Sequence, residues 1–315
     1  MITVRTSPSL ALIKYWGKSD IKDNLPATSS LAVSLDALYT ETRVSFAKNE
    51  DVVSVDDVIM PKDRYAPFFT KLRAAFNIKT HFFVESESNF PAAAGLASSS
   101  SGFAALAFAA SKLIDKNAAN TQISDLARLG SASAARAVYG GFTILEKNAL
   151  HAKPLFDQTY WPELRILISI VKGSAKKITS RNAMELSRIT SPYYPAWLKE
   201  SDKIFDAAKI ACLEKNLNTL GPLAQKSYLM MFSTMFTSSP PLFYWEPESL
   251  RLIKECESLR EEKYSIWETM DAGPQVKMLC LEREANALLK NFRQKFPNVD
   301  FLLSKVGEGP RIIEQ

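Results

Sequence analysis

Four short stretches combine residue types that could grip anions and move a proton. In residues 91–102, PAAAGLASSSSG, small side chains would let a phosphate approach the backbone of Gly95, Leu96 and Ala97. The hydroxyls of Ser98 and Ser99 would add donors or reach a magnesium ion, and a helix starting here would offer unpaired N–H groups and the positive end of its dipole. The stretch has neither the GxxxxGK[ST] nor the GxGxxG pattern, and it would serve equally as a serine-capped helix packing through alanines. In residues 9–18, SLALIKYWGK, Lys14 and Lys18 stand four apart beside Tyr15 and Trp16. Strand alternation would put both ammonium groups on one face, where they suit a diphosphate, although two solvated lysines would read the same way. Arg136 lies among tiny residues in GSASAAR (130–136), with room for a ligand that a guanidinium could hold bidentately; the alternative is a surface arginine on an alanine-rich helix. Asp271 precedes a Gly-Pro turn in MDAGP (270–274), which could aim its carboxylate at a hydroxyl or simply use aspartate as a turn former.

The elements that must position these groups read as α+β. Residues 30–48, 80–86, 142–147 and 164–172 have strand character, and residues 64–76 and 122–138 have helical spacing. Residues 89–114 pass from loop chemistry into a helix. After about residue 180 helical patterns dominate, at 180–190, 195–214, 218–236 and 248–262, with proline-rich breaks at 191–195 and 238–247. Two short strands are expected around GEGP, within 299–314. The texture divides the chain into an N-terminal unit, 1–180, and a C-terminal unit, 181–315.

Composition removes several classes. With 315 residues, 46% apolar and 23% charged, the chain can bury a sizeable core. Its net charge of +5 fits a polyanionic ligand, but no lysine or arginine run resembles a nucleic-acid arm. Cys212, Cys256 and Cys280 are widely spaced and form no CxxC pair, and His81 and His151 are the only histidines, so neither a disulfide framework nor a histidine-rich metal site is expected. The N-terminal stretch lacks the apolar core of a signal peptide, and no apolar run reaches membrane-spanning length, so a cytoplasmic protein without membrane partners is expected.

Taken together, IKYWGK (13–18), NFPAAAGLASSSSGFAAL (89–106), GSASAARAVYGGF (130–142) and MDAGP (270–274) resemble the mevalonate diphosphate decarboxylase family of the GHMP kinase superfamily. LPATSSLAVSL (25–35), KKITSRNAM (176–184) and KVGEGP (305–310) extend the resemblance over nearly the whole chain. It implies a ribosomal-protein-S5-like domain joined to a ferredoxin-like helical layer, ATP with magnesium, and a homodimer. The implied reaction turns mevalonate 5-diphosphate and ATP into isopentenyl diphosphate, ADP, phosphate and carbon dioxide.

By the same resemblance Asp271 orients or deprotonates the substrate's C3 hydroxyl. Lys14 lies near that hydroxyl and the transferred phosphate, and Arg136 holds the substrate carboxylate. Tyr15, Lys18, Ser131 and Arg64 contact the diphosphate; residues 95–99 and Ser180 serve the nucleotide phosphates. The chain departs from the family in Ser9 and Thr28, where asparagine is common, in GSASAARA for GSGSACRS, and in Gln275, which replaces the asparagine after DAGP. The rival readings are a superfamily kinase that phosphorylates a hydroxyl and stops, such as a mevalonate 3-kinase, a decarboxylase acting on a different mevalonate phosphate, and a nucleic-acid binder of S5-like fold.

Overall fold

Residues 81–88, HFFVESES, alternate between faces: Phe82, Val84 and Ser86 point inward while Phe83, Glu85 and Glu87 face out. In the computed structural model, which describes residues 1–90, 98–171 and 178–315, this strand belongs to the first of three larger sheets. The first half of the chain contains β1 (Ile2–Thr6), β2 (Ser9–Ile13), β3 (Lys18–Asp20), β4 (Leu25–Pro26), β5 (Ser30–Ser34), β6 (Thr40–Ala47), β7 (Val52–Val55) and β8 (Val58–Ile59). A 3-10 turn (Lys62–Arg64), α1 (Ala66–Phe76), β9 (His81–Ser88), α2 (Ser98–Ile114), α3 (Asn120–Gly130), α4 (Ala132–Ala137), β10 (Phe142–Leu145) and β11 (Lys153–Phe156) follow. Next come β12 (Leu164–Ile170), α5 (Ser180–Thr190), α6 (Tyr194–Leu213), α7 (Leu217–Phe236) and α8 (Pro247–Glu261). The rest is β13 (Trp267–Met270), β14 (Val276–Leu281), α9 (Glu282–Lys295), β15 (Asp300–Ser304) and β16 (Arg311–Glu314).

The first sheet has the order β16-β1-β6-β9-β7-β8, the second β11-β10-β5-β2 and the third β13-β14-β12-β15; β3 and β4 form a short ribbon. Within the first sheet only β7 and β9 run parallel. The alanine-rich α2 lies on this sheet with Ala104, Ala107 and Ala110 fully buried, so its backbone approaches closely, and Val4, Val44, Phe69 and Phe82 complete that core. A second core joins Leu10, Leu31 and Val33 to Ile166, Ile168 and Leu279, binding the second sheet to the third. This core holds the two halves of the chain together, and the groups that face each other across it come from β2 and from the β13–β14 hairpin.

Several expected elements change on folding. The helix expected over 122–138 is two helices, because Ser131 adopts an extended conformation (φ −154°) and α4 restarts after it. The strand expected to carry Lys14 and Lys18 on one face ends at Ile13, and Gly17, at φ +99°, turns the chain before Lys18 opens β3. The alternation argument therefore fails for this pair: each lysine has its own surroundings. The helix-rich texture after residue 180 conceals β13, β14 and α9. β12 precedes residue 180 yet is an inner strand of the third sheet, and β16 returns to the first sheet beside β1. Composition registers the helices α5–α8, not sheet membership.

β13 is seated by α7 through Gly221, where an added Cβ would lie 2.0 Å from Trp267 Cγ. Alanine gains about 1 kcal/mol over glycine in a helix, but overpacking a core costs ~1–3 kcal/mol, and a contact this short with a rigid indole lies at the upper end. Gly221→Ala should therefore lower the melting temperature; an equal or higher value in thermal denaturation would contradict this packing.

Candidate active site

Lys14 follows a register irregularity in β2 between Ala11 and Ile13. Its backbone N–H donates to Ser227 Oγ of α7 (2.9 Å), and its Nζ donates to Ala11 O (2.7 Å) and Asp271 Oδ1 (2.8 Å). Asp271 stands at the end of β13 in a turn closed by Gly273 N–H to Asp271 O (2.8 Å). Two further clamps hold that turn. Ser249 Oγ of α8 donates to Pro274 O (2.7 Å), and the Gln275 amide exchanges two hydrogen bonds with the Val171 backbone (2.6 and 3.0 Å). Lys277 of β14 donates to the second carboxylate oxygen, Asp271 Oδ2 (3.2 Å).

Both lysine side chains are 2% exposed, whereas a quarter of the Asp271 side chain remains open. Burial alone would raise the Asp271 carboxyl, but Lys14 and Lys277 more than reverse that and hold it well below the usual carboxylate range. Burial lowers the Lys14 ammonium to about 8 even though Asp271 opposes the shift. The result is an ionised carboxylate, oriented by two cations and accessible on one edge.

Arg136, at the end of α4, is buried, and burial lowers its guanidinium to about 10, so it stays charged near neutrality. Its Nε lies 3.4 Å from Ser9 Oγ and its Nη1 donates to Ser30 Oγ. No carboxylate bonds to it among the described residues, which leaves a charged donor fork suited to an anion brought in from outside. Ser9 thus supports Arg136 from β2, and Ser100 Oγ accepts the Ser9 N–H (3.4 Å).

Tyr15 and Lys18 flank the Gly17 turn. An added Cβ on Gly17 would fall 1.8 Å from the Tyr194 hydroxyl, so only glycine admits α6 so close to this turn. Burial lowers the Lys18 ammonium to about 8, with Arg181 of α5 adding to the shift and Glu185 opposing it. Burial pushes the Tyr15 hydroxyl far up and the Tyr194 hydroxyl up to about 12. Among the described residues Tyr15 Oη, Lys18 Nζ and Tyr194 Oη are buried without a hydrogen-bond partner. Buried donors of this kind call for an acceptor, and a polyanion would supply several.

Arg181, which the sequence reading passed over, lies close enough to influence Lys18 and reaches Gly130 O (3.4 Å); its signal was a cation next to Ser180, the first residue of α5. Lys277 was also missed, because its burial depends on hairpin register. Ser131 Oγ lies 2.9 Å from Ser133 Oγ and 3.5 Å from Ser99 Oγ, so the start of α2 and the Ser131 break share a hydroxyl cluster. Ser98 heads α2, and its carbonyl accepts from Ser101 Oγ (3.4 Å). Gly95, Leu96 and Ala97 lie outside the described residues. Arg64 stands exposed on its 3-10 turn, 5.6 Å from the Tyr65 ring centroid, and no described contact joins it to the lysine–aspartate cluster.

The chain is similar to known proteins over nearly its whole length. Residues 6–154 match the diphosphomevalonate decarboxylase-like N-terminal domain, and residues 166–309 match the mevalonate 5-diphosphate decarboxylase C-terminal domain. A diphosphomevalonate decarboxylase of Candida albicans is 32% identical over 93% of this chain and 88% of its own. The mevalonate diphosphate decarboxylase of Staphylococcus aureus superposes with a TM-score of 0.93 at 32% identity, covering 99% of this chain and 98% of that one. A further solved relative, MDDEF in complex with MVAPP, AMPPCP and magnesium, gives 0.92 at 32% identity with the same coverage. The fold is that of the GHMP kinases. Within that class, the chain belongs to the diphosphomevalonate decarboxylase family.

Lys14 and Lys18 are charged below about pH 8 and neutral above it. Affinity for inorganic pyrophosphate should therefore fall several-fold between pH 7 and pH 9 in calorimetry. Equal affinity at both pH values would remove these lysines from anion binding.

Proposed function

We propose that the chain catalyses the ATP-dependent decarboxylation of mevalonate 5-diphosphate to isopentenyl diphosphate, with ADP, phosphate and carbon dioxide as the other products. One observation carries the reading: an ionised, partly open carboxylate fixed between two buried lysines, with an acid-free buried arginine within its electrostatic reach. The solved relative with MVAPP, AMPPCP and magnesium supports it.

The substrate's tertiary alcohol must become a leaving group. Asp271 accepts the hydrogen bond of the C3 hydroxyl along its open edge and receives the proton as the oxygen takes the γ-phosphoryl group of ATP. With a carboxyl held so low, Asp271 is a weak base in the free enzyme, and two incoming polyanions shift it upward. Lys14 faces the forming phosphate ester and offsets its charge. Arg136 grips the C1 carboxylate. The C3–O bond then breaks with loss of phosphate, and the C1–C2 bond yields carbon dioxide and the electron pair of the new double bond. Tyr15, Lys18, Ser131 and Arg181 are the diphosphate donors in this reading, with Arg64 entering only if the bound substrate extends to the 3-10 turn.

The described residues contain no group of three histidine, cysteine or acidic side chains able to hold a metal alone. Magnesium that travels on nucleotide phosphates would suit these residues: the hydroxyls of Ser98, Ser99 and Ser131 would offer hard oxygen donors, as would Ser180 at the start of α5, and the ion would neutralise phosphate charge. No helix among the described residues is long and apolar enough to cross a membrane. The family resemblance supports a cytoplasmic homodimer, and light scattering of the purified protein tests the dimer.

Incubation with ATP, magnesium and each phosphorylated mevalonate should release carbon dioxide with ADP from the 5-diphosphate. ADP without carbon dioxide would mark a kinase instead. Asp271→Asn should lower kcat by ~10²–10⁴, the scale of acid–base catalysis, and near-normal turnover would exclude that role. Arg136→Ala leaves the carboxylate without its grip, so kcat/KM should fall by roughly 10²-fold or more while ATP affinity stays close to wild type. An unchanged kcat/KM would take Arg136 out of the site.

A further inference from the structure

We infer that Lys277 is a positioning residue for the reaction, fixing the rotation of the Asp271 carboxylate so that its open edge meets the substrate hydroxyl. This rests on the function proposed above. Lys14 binds Oδ1 alone, and an aspartate side chain held by one oxygen can still swing about its last torsion, which is broad. Lys277 binds Oδ2 from the opposite strand and removes that freedom.

The hairpin register produces the contact. Lys277 pairs with Thr269, two residues before Asp271, so Asp271 and Lys277 face the same side of the sheet. The turn itself is closed by Gly273, Ser249 and Gln275, so backbone geometry does not depend on the lysine. Lys277 is also the only charged residue of β14, VKMLCL, between the fully buried Val276 and Met278 and beside Ile168 of β12. Replacing Lys277 alone by an apolar side chain removes one partner of a buried ion pair and leaves Asp271 with one cation fewer, so stability and turnover must be read separately in such a variant. The contact to Asp271 Oδ2 puts Lys277 where it fixes the orientation of the carboxylate.

Among the described residues, the charged groups within reach of Asp271 are Lys14 just after β2, Lys277 on β14 and Arg136 on α4. Removing Lys277 deletes one of the cations that hold the carboxyl low, so its midpoint must rise and the acid limb of the pH–rate profile must move to higher pH.

The test compares wild type, Lys277→Met and Lys277→Arg. Expected for Lys277→Met are a kcat per folded enzyme about 10–100-fold lower, KM values within about twofold, an acid limb displaced upward, and recovery of most activity in Lys277→Arg. Carbon-detected NMR titration of the Asp271 carboxyl in the substrate-free protein should show the same upward displacement. A wild-type kcat per folded molecule in Lys277→Met overturns the proposal, whether or not the carboxyl midpoint moves. So does an unmoved midpoint. If Lys277→Met does not fold, Lys277→Gln replaces it with the same readouts. A wild-type protein that releases no carbon dioxide from the 5-diphosphate would defeat the functional reading instead, and the titration would still decide whether Lys277 governs Asp271.

Discussion

A half-buried carboxylate between two buried ammonium groups is the interaction on which this molecule turns. Lys14 and Asp271 are 257 residues apart in sequence, and they meet because the second and third sheets share a core. At about 3 Å and an effective dielectric near 20, each lysine–aspartate contact contributes attraction on the order of 5 kcal/mol, against a desolvation cost of several kcal/mol for each ion. The assembly carries one more positive charge than negative, and Arg136 adds another within electrostatic reach. The lysines are closed to solvent while the carboxylate is not, so the excess positive charge favours a ligand bearing several negative charges at the open edge of Asp271.

The scaffold around this cluster is arranged to keep its backbone still. The Gln275 amide ties the turn after Asp271 to the last described residue of the third-sheet segment, Val171, and Ser169 Oγ bonds Val276 (2.9 Å) one step further along. A shorter asparagine at position 275 would have to reach the same backbone with one methylene fewer, so the length of Gln275 sets how the turn is braced. On the other side, α7 holds both partners: Ser227 receives the Lys14 N–H, and Gly221 admits Trp267 of β13. One helix therefore sets the distance between lysine and aspartate.

Lys14, Arg136 and Asp271 stood out in the sequence only because several short motifs together resemble one family; each segment alone fitted a structural role as well. The helices α5–α8 could be read because long apolar periodicity survives any packing. What escaped depended on tertiary context. Ser131 is an acceptable helix residue, and only its extended backbone splits 122–138 into α3 and α4. Lys14 and Lys18 looked like neighbours on a strand face until the positive φ of Gly17 separated them. Lys277 reads locally as one charge in an apolar strand, and its partner becomes visible only when β13 and β14 are placed in register.

The pairing of β1 with β16 has a consequence for how the protein is made. Thr3 and Glu314 are 311 residues apart, yet their side chains bond (3.0 Å) and their strands adjoin. During synthesis β1 can pair with β6 early, but its other edge stays open until residues 311–314 have been made. Through that interval the first sheet keeps an unpaired edge, a ready template for strand-to-strand association.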